Sequence, residues 1–205
     1  MNYKTSLEKK ALLISAFTHP LLMPLFAFLL LNHYNSISFH GQSFYILLLV
    51  FSITVIGLPV YFVFALKRSG YIQTIEMETL KERRLPLIFT CVTMVFNYYL
   101  MQRASLPQPF LLFFLSLSIA SLIAMVISVF YKISLHMLGV GYLFGLGLLL
   151  SNLSSSDMRY YMMLISILCG VVATCRLLLK AHSLPQLYLG FFVGVCSAWS
   201  VLVAL

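Results

Sequence analysis

Uncharged apolar runs of about twenty residues alternate with short polar connections along the whole chain. An α-helix needs about 20 mostly apolar residues to cross a bilayer, so each run is long enough for one span. We predict seven helices from these runs, at residues 11–32, 44–66, 86–101, 109–131, 135–152, 158–178 and 187–205. The pattern therefore predicts an all-α fold, a polytopic membrane helix bundle of about seven spans.

The first of these runs contains Pro20 and Pro24. Proline removes a backbone donor and disturbs a helix interior, so this run is expected to be kinked or re-entrant. His19 lies beside Pro20 and is expected to be a buried histidine bonded across the bundle. Because no internal repeat or flexible linker divides the sequence, residues 1–205 are expected to form a single integral membrane domain.

The composition supports the membrane class. Hydrophobic residues make up 61% of the chain and charged residues 9%, whereas soluble domains carry about 25% charged residues. The net charge of +8 lies in the connections and forms no basic domain, which argues against nucleic acid and favours contact with membrane lipids. The few acidic residues form no cluster, so no metal site is predicted.

The cations are divided unequally between the two ends of the predicted spans. If all seven runs cross, eleven of the 13 Lys and Arg residues share a side with the N-terminus, and only Arg103 and Arg159 lie on the other. The positive-inside rule then places connections 67–85, 132–134 and 179–186 in the cytoplasm. This predicts a multi-pass protein of the cell (inner) membrane.

The same three connections, extended by a few residues, carry ionisable residues that a membrane interior avoids. They include His136, His182, Lys81, Arg83, Arg84 and Arg176. Two predicted spans separate each connection from the next, so all three are expected at one face. Arginine and helix N-termini bind phosphate, and two histidines beside a phosphate can act as nucleophile and general acid. A cationic phosphate site is therefore predicted at that face.

The residues of the last connection resemble a motif of a known family. Arg176, His182 and Gln186 resemble the third motif of the type 2 phosphatidic acid phosphatase superfamily, S-R-x5-H-x3-D. Ile-Ser-Leu-His at 133–136 is similar to the second motif, P-S-G-H. Lys-Glu-Arg-Arg-Leu-Pro at 81–86 resembles a shortened first motif, K-x6-R-P.

This resemblance covers about residues 44–205 and departs from the family pattern in several places. It implies a six-helix phosphatase-like core, with residues 1–43 as an extra N-terminal helix and connection. The departures are Cys175 for serine, Ile133 for proline, Leu135 for glycine, an inserted Leu85, and Gln186 for aspartate. The last departure bears on activity, because glutamine carries no charge.

The resemblance also implies a role for each residue and a class of substrate. His182 would attack phosphorus and form a phosphohistidine, His136 would protonate the leaving group and then assist water, and Gln186 would orient His182. The phosphoryl oxygens would be held by Arg176, Lys81, Arg83 or Arg84, and Ser134. The implied enzyme is a lipid phosphatase that needs neither metal nor cofactor, acting on phosphatidic acid, phosphatidylglycerophosphate, a polyprenyl diphosphate or a phosphorylated sphingolipid intermediate.

Other interpretations of these residues stay open. Ser183-Leu-Pro-Gln186 is also a helix capping box, a role compatible with contact to His182. The cations at 81–84 equally fit membrane topology or headgroup contact. The alternative function is a weakened or inactive relative that binds or transports lipid phosphates, and a small transporter is a third possibility.

Overall fold

The computed structural model describes residues 5–34, 37–73, 79–153 and 157–200. Every regular element in these ranges is helical. In chain order they are α1 (Ser6–Phe17), α2 (Met23–Tyr34), α3 (Gly41–Ser52), a π-helical segment (Ile53–Gly57), α4 (Leu58–Arg68), α5 (Leu80–Arg103), α6 (Gln108–Phe130), α7 (Leu135–Leu153), α8 (Arg159–Leu178) and α9 (Leu184–Trp199). The elements from α3 to α4 form one continuous helix, Gly41–Arg68.

Five helices among the described residues are long and apolar enough to cross a membrane. They are Gly41–Arg68, Leu80–Arg103, Gln108–Phe130, Leu135–Asn152 and Arg159–Leu178. Helices α2 and α9 are apolar but shorter. The prediction of an all-helical fold with several helices able to cross a membrane is thus confirmed, and the described residues contain five long helices and two short apolar ones in place of seven equivalent spans.

The first predicted run contains two helices. Helix α1 ends at Phe17 and α2 begins at Met23, with a turn between them in which the Leu22 N–H donates to the His19 carbonyl at 2.8 Å. The run is interrupted as predicted, but it is broken into two helices instead of kinked: Pro20 lies in the turn and Pro24 is the second residue of α2. A re-entrant path for this run stays a prediction. Each helix has 12 residues, about 18 Å, which is less than the roughly 30 Å of a bilayer core.

Helix α5 begins six residues before the predicted run at 86–101. Thr79 and Glu82 form a capping box, which satisfies N–H groups of the first turn and lets the helix start ahead of Pro86. The sequence pattern placed the start at residue 86 because the apolar run begins only after the charged residues 81–84. Three predicted phosphate-binding residues, assigned to a connection, therefore lie inside this helix: Lys81, Arg83 and Arg84.

Contacts divide the chain into two compact units, 1–30 with 133–205 and 31–132. The prediction of a single integral membrane domain, in which residues 1–43 are an addition to 44–205, stays a prediction. In the unit of residues 31–132, α5 packs on α6 and α4. A buried hydrogen bond of 2.7 Å from the Thr54 hydroxyl to Asn97 Oδ1 joins the π-helical segment to α5.

The unit of residues 1–30 and 133–205 is built on close packing between α7 and α9. A methyl group at Gly190 would overlap the Ser134 carbonyl oxygen, and one at Gly194 would overlap that of Leu138. Glycine permits this approach because it has no Cβ. The two contacts advance together along both helices, so α7 and α9 run parallel and begin at the same end of the unit.

The chain returns to that end through α8. A short connection follows Leu178, in which the Ala181 N–H donates to the Arg176 carbonyl at 3.1 Å and Lys180 adopts a left-handed φ of 50°. This turn brings the end of α8 beside the start of α9. Helix α1 packs against α8. Arg176, His136 and His182 consequently belong to one end of this unit.

Candidate functional site

His182 is buried immediately before α9 and is held by Gln186. The residue is 7% exposed, and its Nδ1 lies 3.0 Å from Gln186 Oε1. The same oxygen accepts the backbone N–H of Ser183 at 3.3 Å. A backbone N–H can only donate, so this atom is an acceptor and His182 Nδ1 carries the proton. The neutral ring therefore keeps Nε2 as its unprotonated, nucleophilic nitrogen.

Gln186 has both structural roles that the sequence predicted for it. It closes the capping box of α9 with Ser183, and it contacts His182 one helical turn away. His182 precedes the extended N-cap Ser183, so it contacts Gln186 from just outside the first turn of α9. One oxygen atom thus fixes the helix start and the orientation of the imidazole.

His136 lies in the first turn of α7 and is held from α1. Its Nε2 is 3.0 Å from the carbonyl oxygen of Ser15. Because a carbonyl only accepts, Nε2 carries the proton and Nδ1 is the unprotonated nitrogen of the neutral ring. His136 and His182 are therefore each oriented by an oxygen atom, but through opposite ring nitrogens.

Ser134 and Arg176 complete this end of the unit. Ser134 is 0% exposed, and its hydroxyl oxygen accepts the Met137 N–H at 3.4 Å, which caps α7. Accepting this bond does not consume the hydroxyl hydrogen, so Ser134 keeps the donor function predicted for it. Arg176 is close enough for its charge to act on His136, as is His182. The positive ends of the helix dipoles at the starts of α7 and α9 also favour a bound anion.

The structure adds His19 to this group of residues. Its ring packs edge-on against that of His136, with centroids 5.9 Å apart, and its Nδ1 accepts the Leu21 N–H at 3.3 Å. Loss of water around the ring where it packs on its neighbours, and then the charge of Arg176, lower the pKa of His19, although the residue as a whole remains accessible to solvent. The prediction that His19 is buried is wrong, because the residue is exposed beyond the end of α1. Its predicted contact across the helices is present as the packing on His136.

The remaining predicted site residues belong to the other unit. Lys81 and Arg84 are exposed and Arg83 is half-buried, all within the first two turns of α5. The combination of these cations with the two histidines therefore stays a prediction.

The described part of the site fits an anion better than a metal ion. Among the described residues, no three His, Cys, Asp or Glu side chains are grouped to hold a metal ion. Two imidazoles of defined tautomer lie with an arginine and two helix N-termini. Such a set can bind a phosphate, attack it with one imidazole and exchange protons through the other.

Comparison with known proteins gives no further indication of what this site does. No protein-family model, curated protein or solved structure matches the chain. The resemblance to phosphatase motifs rests on the residues quoted for it and stays a prediction.

Proposed function

We propose that this protein is a membrane-embedded lipid phosphatase, a divergent member of the type 2 phosphatidic acid phosphatase superfamily. It would hydrolyse a phosphomonoester or diphosphate of a lipid through a phosphohistidine, without a metal or cofactor. The observation that carries the proposal is the bond from His182 Nδ1–H to Gln186, which leaves Nε2 as the unprotonated nitrogen. The charges of His182 and of Arg176 both act on His136. Helices from α3 onward would form the six-helix core, with α1 and α2 as the addition.

In the first step, His182 Nε2 attacks phosphorus. The N–P bond forms while the bond from phosphorus to the leaving oxygen breaks, and that oxygen takes the electron pair. A proton from His136 Nδ1 neutralises it. The negative charge of the bound phosphate favours the protonated His136 that this step requires, while Nε2–H stays on the Ser15 carbonyl.

In the second step, water attacks the phosphohistidine. His136 Nδ1 takes one proton from the water as the new oxygen–phosphorus bond forms and the N–P bond breaks. Inorganic phosphate leaves and His182 returns to its starting tautomer. Arg176, the Ser134 hydroxyl and the positive dipole ends of α7 and α9 stabilise the phosphoryl charge throughout.

Phosphate release from purified protein in mixed micelles tests this proposal. The panel contains phosphatidic acid, phosphatidylglycerophosphate, a polyprenyl diphosphate and a phosphorylated sphingoid base. We expect release from at least one of them without added metal and in the presence of a chelator. A second candidate function, binding or transport of lipid phosphates without turnover, is favoured by the neutral Gln186, and binding without release would support it.

A charge at position 186 should speed the reaction. Gln186→Glu keeps the length of the side chain and the capping box, and it adds the negative charge that stabilises a positive His182 imidazole during attack. Charge-assisted hydrogen bonds are about twice as strong as neutral ones, so we expect kcat to rise about tenfold or more with KM nearly unchanged.

Two further variants give this experiment its controls. Gln186→Asp should also raise kcat, but less, because the shorter side chain does not reach both Ser183 N–H and His182. Gln186→Ala should lower kcat. A kcat for Gln186→Glu at or below that of the wild type, in a folded protein, would show that charge at this position does not assist attack.

The membrane orientation is the second part of the proposal. We place the ends of α7, α8 and α9 that carry the site in the cytoplasm, because most cations lie on that side of the predicted spans. Ser183 lies at the site end of α8, and Asp157 lies at the opposite end of the same 20-residue helix.

Single cysteines at these two positions test the orientation. In a background without the four native cysteines, Asp157→Cys should react with an impermeant thiol reagent added to intact cells, and Ser183→Cys should not. Both should react after permeabilisation. Labelling of position 183 and protection of position 157 in intact cells would reverse the orientation.

A further inference from the structure

The end of α1 and the turn after it contribute two residues that the phosphatase motifs do not contain. We propose that this hairpin segment, residues 15–19, forms a further wall of the phosphate site, in which His19 Nε2–H and the Ser15 hydroxyl donate hydrogen bonds to phosphoryl oxygens. The inference rests on the proposed function only for the nature of the ligand.

The tautomer of His19 makes it a donor at the right place. Its Nδ1 accepts the backbone N–H of Leu21, so the proton of the neutral ring is on Nε2. The lowered pKa of His19 keeps this neutral form at physiological pH. The ring touches His136 and lies within reach of the charge of Arg176. His19 Nε2–H is therefore a donor beside the groups that would hold and protonate the substrate.

Ser15 supplies a second, independent observation. Its carbonyl accepts the His136 Nε2–H, so the residue belongs to the site wall. The residue is 5% exposed, and within the described ranges its Oγ has no hydrogen-bond partner. A buried hydroxyl without a partner is unfavourable, and a phosphoryl oxygen would satisfy it. Ser15 would thus orient the proton donor through its carbonyl and contact the phosphate through its hydroxyl.

Binding of inorganic vanadate to the full-length protein in micelles tests this wall directly. Vanadate adopts the five-coordinate geometry of phosphoryl transfer and needs no lipid tail. The variants are His19→Ala and Ser15→Ala. Their matched controls are His33→Ala, an exposed histidine near the end of α2, and Thr18→Ala, whose hydroxyl already donates to the Ile14 carbonyl at 2.9 Å.

Loss of one hydrogen bond to an anion should raise the Kd of vanadate about tenfold for each site variant, and the controls should stay within about twofold of the wild type. In the ¹⁵N-histidine spectrum of the wild type, the His19 Nε2–H signal should shift when vanadate is added. A purely structural role for this segment would slow catalysis without changing either measurement.

The outcomes separate this inference from the proposed function. If the wild type does not bind vanadate, or if His19→Ala binds it as the wild type does, the inference is overturned, whether or not the protein hydrolyses lipid phosphates. If His19→Ala weakens vanadate binding and the His19 signal shifts, but no lipid phosphate is hydrolysed, the inference stands and the proposed enzymatic function falls.

Discussion

Replacing His182 with alanine should abolish phosphate release from every lipid phosphate that the wild type hydrolyses. The imidazole is the proposed nucleophile, and its Nε2 has no substitute at the start of α9 once the ring is removed. Loss of a covalent nucleophile lowers kcat by about 10³-fold or more. The measurement is the initial rate of phosphate release, with the protein quenched in parallel to detect an acid-labile, base-stable phosphoenzyme.

The control for this variant is His33→Ala, which removes an exposed histidine from α2. It should retain the wild-type rate and the phosphoenzyme. Because His182 is buried, removal of its ring leaves a cavity and should lower the unfolding temperature, so the rates are compared at a temperature where both proteins are folded. Phosphate release by His182→Ala at a rate close to that of the wild type would disprove the phosphohistidine mechanism.

Gly194→Ala should destabilise the protein strongly, although it adds a single methyl group. That group would overlap the backbone oxygen of Leu138, and a backbone atom cannot move aside without separating α7 from α9. Overpacking of this kind costs about 1–3 kcal/mol, which outweighs the roughly 1 kcal/mol that alanine gains over glycine in a helix. Thermal unfolding in micelles measures the change, and the rate of phosphate release should fall with it.

Gly170→Ala in α8 is the matched control. Among the described residues nothing lies within 4 Å of a Cβ at this position, so the methyl group has space. This variant should be as stable as the wild type or slightly more stable, because alanine is the better helix former. Equal unfolding temperatures for Gly194→Ala and Gly170→Ala would show that α7 and α9 do not pack as closely as described.

The sequence predicted those parts of the fold that depend on local pattern. The apolar runs between residues 44 and 178 were recognisable because a helix must bury its backbone polar groups wherever it crosses lipid. The starts of α5 and α9 were placed too late, because the predicted bounds followed the uncharged apolar runs. Capping boxes at Thr79 and Ser183 mark the actual starts, since each satisfies N–H groups of the first turn of its helix. The box at Ser183 was recognised in the sequence, and the box at Thr79 was not.

In the candidate site, the contact between residues close in sequence was predictable, and the contact between distant residues was not. The contact of His182 with Gln186 followed from their spacing within one helical turn. The hydrogen bond from His136 to the Ser15 carbonyl could not be predicted from the sequence. It joins residues 121 positions apart, and its acceptor is a backbone atom that every residue type carries. The packing of α7 on α9 had an unused signal, since Gly141 and Gly145, like Gly190 and Gly194, form the G-x-x-x-G pattern of closely packed membrane helices.

The shared oxygen of Gln186 couples the orientation of the His182 imidazole to the formation of the first turn of α9. Oε1 accepts from the Ser183 N–H and from His182 Nδ1, so fraying of the first turn of α9 releases the imidazole at the same moment. Helix ends open at a much lower free-energy cost than the whole fold. A ligand or a lipid that loosens the start of α9 would therefore release the His182 imidazole from its fixed orientation. The rest of the protein would stay folded.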